Sequence, residues 1–154
     1  MTALSSKSDS VNVFLIGNNP TDLSGIYNLL KSIKTRTFKT EIHFDPNNIL
    51  SRVSKFNPSC ILIDDNLEKL KLRKLVKRLN AHVRTRHIPI TVIKNSNYAE
   101  PQIQEAQDYL LKESLTSESL SKSIFNSIKF KKMQRYLRVN YAQKKTKLNQ
   151  LLNR

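Results

Sequence analysis

Short apolar runs alternate along this chain with longer stretches whose apolar residues recur at helical spacing. The runs, each of strand length, cover residues 11–16, 37–44, 60–63, 88–93 and 109–111. When strands and helices alternate in this way, each connection crosses back over the sheet, which favours parallel strands with helices on both faces. The pattern therefore predicts one doubly wound α/β domain.

The stretches between the runs predict five helices. Their expected positions are a start at Pro20, a start at 45–46, the span 67–83, a short helix at 100–106, and a start at Thr116 or Ser117. As an N-cap, Ser117 would offer no capping box with Leu120 and Ser121. We expect a flavodoxin-like (βα)5 sheet with strand order 2-1-3-4-5. In such a sheet the ligand crevice lies at the carboxyl ends of the strands.

Residues 10–129 suffice for this fold. Residues 1–9 are rich in Ser and are expected to form a disordered tip. Residues 130–154 contain no Gly, Pro or acid, and we expect them to extend the last helix as a basic C-terminal segment. The apolar stripe of this extension is broken at Lys144 and Lys145, which disfavours a long coiled coil.

The charge balance restricts the partners. Lys and Arg outnumber Asp and Glu by 27 to 12, giving a net charge of +15. Such a charge favours nucleic acid, an acidic membrane surface or an acidic protein face; a solvated basic surface is the plain alternative. One Cys excludes an internal disulfide. No apolar run approaches the ~18 residues of a membrane span, so a cytoplasmic protein is expected.

Basic residues gather on two predicted helices. The candidates for a surface that follows phosphates are Lys74, Lys77, Arg78, Lys144, Lys145 and Lys147. A solvated helix face is the alternative. No helix-turn-helix, zinc-finger or RNA-binding signature accompanies them, so nucleic-acid binding is an alternative function and not the leading one.

Three landmarks carry a resemblance to a known family. The first run ends in Gly17-Asn18-Asn19-Pro20, Asp64 closes the third, and the fifth is Asp108-Tyr109-Leu110-Leu111-Lys112. Over roughly residues 10–130 the chain resembles the CheY-like receiver domain of two-component response regulators. The resemblance implies that Asp64 is the phosphoacceptor and Lys112 the lysine of the phosphate pocket. It also implies that Tyr109 is the aromatic that rotates inward on activation.

The resemblance also implies a Mg²⁺ site, which is weakened here. Its ligands would be Asp64, the backbone carbonyl of Asn66, and Asn18, which stands where the family has an Asp. An amide oxygen can still bind Mg²⁺, but it lacks the charge that this ion prefers. Gly17 replaces the second acid of the family pair and offers no side chain.

Asn19 and Asp65 are the side chains nearest in sequence that could replace the lost acids. Asp65 should point away from Asp64 if the strand geometry continues, because successive side chains in a strand alternate between faces.

Two further departures lie in the switch region. Lys94 stands where the family has Thr or Ser, and we expect it to replace metal charge, either by pairing with Asp64 or by binding an anion. Glu113 stands where the family has a cis proline. A cis bond before another residue costs ~3–4 kcal/mol, so a trans turn is expected.

Three functions follow from these residues. The leading one is an atypical receiver, or pseudo-receiver, that acts through contacts with a histidine kinase or a downstream signalling protein, with homodimerisation as a further option. The second is a weakened phosphorelay with Asp64 active, and the third is a basic nucleic-acid-binding protein on a receiver scaffold. We expect no independent enzyme, because the sequence shows no nucleophile–base pair and no Gly-rich phosphate loop.

Overall fold

A computed structural model of the 154-residue chain describes residues 10–44, 47–95, 106 and 108–153. The strands are β1 (Ser10–Ile16), β2 (Thr37–His43), β3 (Cys60–Asp64), β4 (Ile90–Lys94) and β5 (Asp108–Leu111). The helices are α1 (Pro20–Ser32), α2 (Ile49–Phe56), α3 (Lys69–Ala81) and α4 (Ser117–Leu152), with a 3-10 turn at Lys112–Ser114.

All five strands form one parallel sheet in the order β2-β1-β3-β4-β5. In its register Leu15 lies between Ile42 and Leu62, and Asp64 lies beside Ile93. The predicted flavodoxin-like fold class and strand order are confirmed. The carboxyl ends of β1, β3, β4 and β5 consequently meet at one edge of the sheet.

The two faces of the sheet are buried by different helices. Phe14 and Ile16 pack with α2 and α3, whereas Val13 and Leu15 pack with α1 and the first part of α4. Because both faces are covered, every residue of β3 is buried. This burial explains why the run at 60–63 is apolar throughout and does not alternate with polar residues.

Helix α4 is 36 residues long, about 54 Å at 1.5 Å per residue. It begins with a capping box: Ser119 N–H donates to Thr116 Oγ1 and Thr116 N–H donates to Ser119 Oγ, each at 3.0 Å. Of the two expected N-cap residues, Thr116 is the one that caps the helix, and Ser119 fills the position that usually holds Glu or Gln. The predicted helical C-terminal extension is confirmed.

Several predicted boundaries shift for local reasons. Strand β4 begins at Ile90 and not at residue 88, because Pro89 has no N–H for the ladder; its carbonyl accepts from Ile61 N–H at 3.0 Å. Helix α3 is shorter than the predicted span 67–83, and β2 ends at His43.

Helix α2 begins at Ile49, after Asn48 in the left-handed conformation with φ 62°. Residues 45 and 46, where its start was expected, lie outside the described residues. The same holds for the expected tip at 1–9 and for the expected helix at 100–106, apart from Ala106. Among the described residues, no helix combines the length and the apolar character that crossing a membrane requires.

Candidate functional site

The carboxyl edge of the sheet brings together side chains that are distant in sequence. Asp64 is the last residue of β3 and is completely buried. Lys112 directly follows β5, and its ammonium lies 2.7 Å from Asp64 Oδ1 across 48 residues of sequence. The two residues that the resemblance assigns to one phosphate pocket therefore form an ion pair.

The ammonium of Lys112 donates to three oxygens. Besides Asp64 Oδ1, these are Asp22 Oδ2 at 3.1 Å and Asn95 Oδ1 at 2.7 Å. An ammonium has three N–H donors, so this set uses all of them. Burial alone would lower the pKa of Lys112, but the hydrogen bonds to Asp64 and Asp22 outweigh it and the pKa is raised.

Asp22 is the functional residue that the sequence reading missed. It lies in the first turn of α1, where Asn19 caps the helix by accepting from Thr21 N–H at 3.0 Å and from Asp22 N–H at 3.3 Å. The hydrogen bond from Lys112 lowers the pKa of Asp22, and a hydrogen bond from Asn66 adds to this. Asp22 thus supplies at this edge a negative charge that positions 17 and 18 lack.

The signal that could have revealed Asp22 is its place in the helix. Helix α1 starts at the carboxyl edge, so an acid in its first turn lies over the pocket. Asn95 was missed for a similar reason: it directly follows β4, one residue after Lys94. Its N–H donates to Asp65 Oδ1 at 3.1 Å, and its amide nitrogen donates to the Asn66 side chain.

Amide groups line the pocket beside Asp64. Asn66 N–H donates to Asp64 Oδ1 at 3.1 Å, and the Asn66 side chain donates to Asp22 Oδ2 at 2.8 Å. The Asn18 side chain donates to the backbone carbonyl of Asn66 at 3.0 Å. Two expected metal ligands, the Asn66 carbonyl and the Asn18 side chain, are therefore hydrogen-bonded to each other.

The second oxygen of Asp64, Oδ2, is buried and has no hydrogen-bond partner among the described residues. A buried polar atom without a partner costs about 1–3 kcal/mol. The hydrogen bonds that Asn66 N–H and Lys112 donate to Asp64 Oδ1 offset part of this cost. Because the whole Asp64 side chain is buried, neither oxygen faces solvent in this conformation.

As arranged, these residues do not fit Mg²⁺. The ammonium of Lys112 bonds both carboxylates, and Asn18 presents an N–H donor where a metal ligand needs an oxygen lone pair. A divalent ion would have to displace Lys112 from Asp64 and Asp22. Among the described residues, no group of three His, Cys, Asp or Glu side chains is placed to hold a metal ion. Weak Mg²⁺ binding by Asn18, Asp64 and Asn66 stays a prediction.

Gly17 is explained by packing. A Cβ at this position would lie 2.8 Å from Leu23 Cδ2 and 3.0 Å from Asp64 Cβ. Real Cβ atoms essentially never approach so closely, so any side chain would force Leu23 or β3 to move. The missing acid at position 17 thus follows from how tightly α1 packs against the end of β3.

The remaining predicted switch residues lie beside this cluster. The ammonium of Lys94 lies 5.4 Å from the centre of the Tyr109 ring, a cation–π distance. Asp65 is half-buried; burial raises its pKa, and the charge of Asp64 raises it further. The turn at Glu113 is trans, as expected, since no cis peptide bond occurs among the described residues. Lys94 was expected to pair with Asp64 or to bind an anion; the ammonium that lies 2.7 Å from Asp64 Oδ1 is that of Lys112.

The predicted basic surface lies on two helices. The side chains of Lys74, Lys77 and Arg78 are exposed on α3, and those of Lys144, Lys145 and Lys147 are exposed on the extension of α4. Their role in nucleic-acid binding stays a prediction.

No protein-family model matches the sequence, and no curated protein matches it. Solved structures do match. One is the receiver domain of a sensor histidine kinase from Pseudomonas aeruginosa, solved with a magnesium ion in its active-site cleft. It has a TM-score of 0.66 and 19% identity, and the match covers 77% of this chain and 98% of that one.

Two more structures give the same result. The receiver domain of a modulated diguanylate cyclase from Desulfovibrio desulfuricans has a TM-score of 0.66 and 20% identity, covering 82% of this chain and 99% of that one. A response regulator receiver domain protein from Clostridium thermocellum has a TM-score of 0.66 and 18% identity, covering 80% and 98%. At these identities the likeness establishes the fold: this chain has the receiver-domain fold that the resemblance implied.

The two glycines offer a matched test of the packing at Gly17. We expect Gly17→Ala to lower the free energy of unfolding by about 1–3 kcal/mol, because its Cβ overpacks against Leu23 and Asp64. Gly25→Ala should raise the free energy by about 0.5–1 kcal/mol, since Gly25 lies within α1 with nothing within 4 Å of the added atom. Urea denaturation measures both changes; a neutral Gly17→Ala would contradict the close contact.

The ion pair can be tested by a double-mutant cycle. We expect Lys112→Met to cost about 3 kcal/mol of unfolding free energy, because it leaves the buried carboxylate of Asp64 without its cation. Asp64→Asn should cost less, about 1–2 kcal/mol, because Lys112 keeps its hydrogen bonds to Asp22 and Asn95. The double variant should be more stable than the sum of the two losses by more than about 1 kcal/mol. Lys144→Met is the control, since its side chain is exposed on the α4 extension. Simple additivity in urea denaturation would argue against the pair.

Proposed function

We propose that this chain is an atypical receiver domain of a two-component signalling system that acts through protein contacts, without phosphoryl transfer to Asp64. One observation carries the proposal: Lys112 bonds Asp64 and Asp22 together while Asp64 is completely buried. The receiver fold and the receiver domains among its structural neighbours support the signalling class.

Phosphoryl transfer makes demands that this pocket does not meet as arranged. The acceptor oxygen must approach phosphorus in line, and cations must neutralise the equatorial oxygens. Asp64 Oδ1 already accepts from Lys112 and Asn66, and Asp64 Oδ2 is shielded from solvent. All three N–H donors of the Lys112 ammonium bond protein oxygens, so none is directed at an incoming phosphoryl group. Because Lys112 already neutralises the carboxylates of the pocket, the conformation of the domain would be set by the protein that binds it and not by phosphorylation.

The α4 extension provides a surface for such contacts. It carries nine of the twelve exposed large apolar side chains of the described residues. At helical spacing seven of them lie on one side of the helix, in a stripe that is interrupted at Lys144 and Lys145: Phe130, Met133, Leu137, Tyr141, Leu148, Leu151 and Leu152. An exposed apolar stripe of this kind marks an interaction surface. Its partner would be a histidine kinase or a downstream signalling protein with an acidic rim.

Homodimerisation through the same stripe is a weaker option. Residues 130–154 hold eight Lys and Arg and no acid, so two copies side by side would bring like charges together. The charge of the extension therefore favours a partner of opposite sign over a second copy of this chain.

The central test is intact mass after incubation with acetyl phosphate and Mg²⁺. We expect no phosphoryl group on the wild-type chain, because Asp64 is sealed and its cation is internal. Asp64→Asn serves as the matched control, and circular dichroism shows that both samples are folded. A gain of one phosphoryl group that disappears in Asp64→Asn would contradict the proposal and favour a phosphorelay.

A nucleic-acid-binding function is the second candidate, favoured by the acid-free extension. If the extension follows phosphates, neutralising Lys144, Lys145 and Lys147 with Gln should reduce the slope of log K against log salt by about 2–3. The same change at Lys74, Lys77 and Arg78 is the comparison. Fluorescence anisotropy with a labelled single-stranded oligonucleotide measures both. An unchanged slope in the first variant would remove the extension from this role.

A further inference from the structure

A second concentration of charge lies at the opposite, amino-terminal edge of the sheet. There the loop between α3 and β4 faces α4 just beyond its buried part. Two adjoining clefts of about 350 and 260 Å³ open between these elements. His87, Lys131 and Arg135 line both of them.

The charged side chains that line these clefts have one sign. They are Arg86, Lys131, Lys132, Arg135 and Arg138, hereafter the cationic cleft, and His87 lies among them. None of the lining residues in the described part of the chain is acidic. The acids Asp22, Asp64, Asp65 and Glu68 lie instead at the carboxyl edge, at strand ends or helix starts.

Positive charges in the cleft lower the pKa values of neighbouring basic groups. Burial lowers the pKa of Lys131, and the charge of Arg138 lowers it further. Burial also lowers the pKa of His87, with contributions from Arg135, Lys131 and Arg86. The hydrogen bond from Lys131 goes to the neutral amide oxygen of Asn80 at 3.4 Å. The cleft therefore holds positive charge that no described acid of its lining offsets.

We propose that the cationic cleft binds a compact anion that carries two or more phosphate groups. Guanidinium groups match phosphate oxygens in a bidentate geometry, and Arg86, Arg135 and Arg138 approach the cleft from two different elements. The volume of the larger cleft is that of a small-molecule site. Because these cations stand on two elements that face each other across the cleft, one compact ligand can contact both sides at once.

This proposal does not depend on the signalling role. The cleft and the Asp64 pocket lie at opposite edges of the sheet and share no residue. Asp64→Asn should accordingly leave anion binding unchanged, so failure of one proposal can be told from failure of the other.

The test is titration calorimetry of the full chain with inorganic pyrophosphate at constant ionic strength. We expect saturable binding that Arg135→Gln weakens at least tenfold. Lys147→Gln is the matched control, since it removes the same charge from an exposed position further along α4, outside the cleft; its affinity should stay within twofold. Arg138→Gln, also exposed, is a second cleft variant, and unchanged melting temperatures without ligand show that all variants fold.

Other probes distinguish the source of the anion. Binding of a nucleoside triphosphate or of a soluble inositol bisphosphate with the same dependence on Arg135 would support the proposal and identify a free ligand or a headgroup. Equal losses in Arg135→Gln and Lys147→Gln would show general charge attraction and overturn it. Absence of pyrophosphate binding, or binding only of a single-stranded oligonucleotide, would also overturn it.

Discussion

The buried ion pair of Asp64 with Lys112 is the interaction on which the carboxyl edge of this domain depends. A carboxylate removed from water loses several kcal/mol of solvation, which must be offset within the protein. Asp64 sits at the end of the central strand β3, and Lys112 follows the edge strand β5, so the pair joins the middle of the sheet to its margin. Neutralisation by a side chain, not by an ion from solution, makes this link part of the fold.

The position of the second acid shows how the pocket keeps its charge. A side chain at position 17 would press against Leu23 and Asp64, which lie 2.8 and 3.0 Å from the position of an added Cβ. The negative charge instead comes from Asp22, one turn into α1, which approaches Lys112 from above the sheet edge. With the second acid on α1 and not at the end of β1, both carboxylates of the pocket bond the ammonium of Lys112.

The sequence predicted the parts of the structure that repeat, and it missed those that depend on side-chain direction. Apolar periodicity predicted a parallel sheet and its strand order. Because parallel strands end at the same edge, it also placed Asp64 and Lys112 at that edge. Asp22 was read only as part of a helix start, because a one-dimensional pattern does not show that its carboxylate turns toward Lys112. Asn95 was missed because its partners Asp65, Asn66 and Lys112 meet it only when the ends of β3, β4 and β5 lie side by side. The cationic cleft was missed because it forms only when α4 packs beside the loop between α3 and β4.

The two charged edges are joined by rigid elements. Lys112 directly follows β5; at the other end of that strand Asp108 Oδ2 accepts from Ser123 Oγ of α4 at 2.6 Å. From Ser123 the same helix runs without interruption to Lys131 in the cationic cleft. Coupling between two sites requires an element that has two positions and that each ligand binds with different affinity. Because α4 is one continuous helix packed in a single position, we expect the Asp64 pocket and the cationic cleft to bind their partners independently.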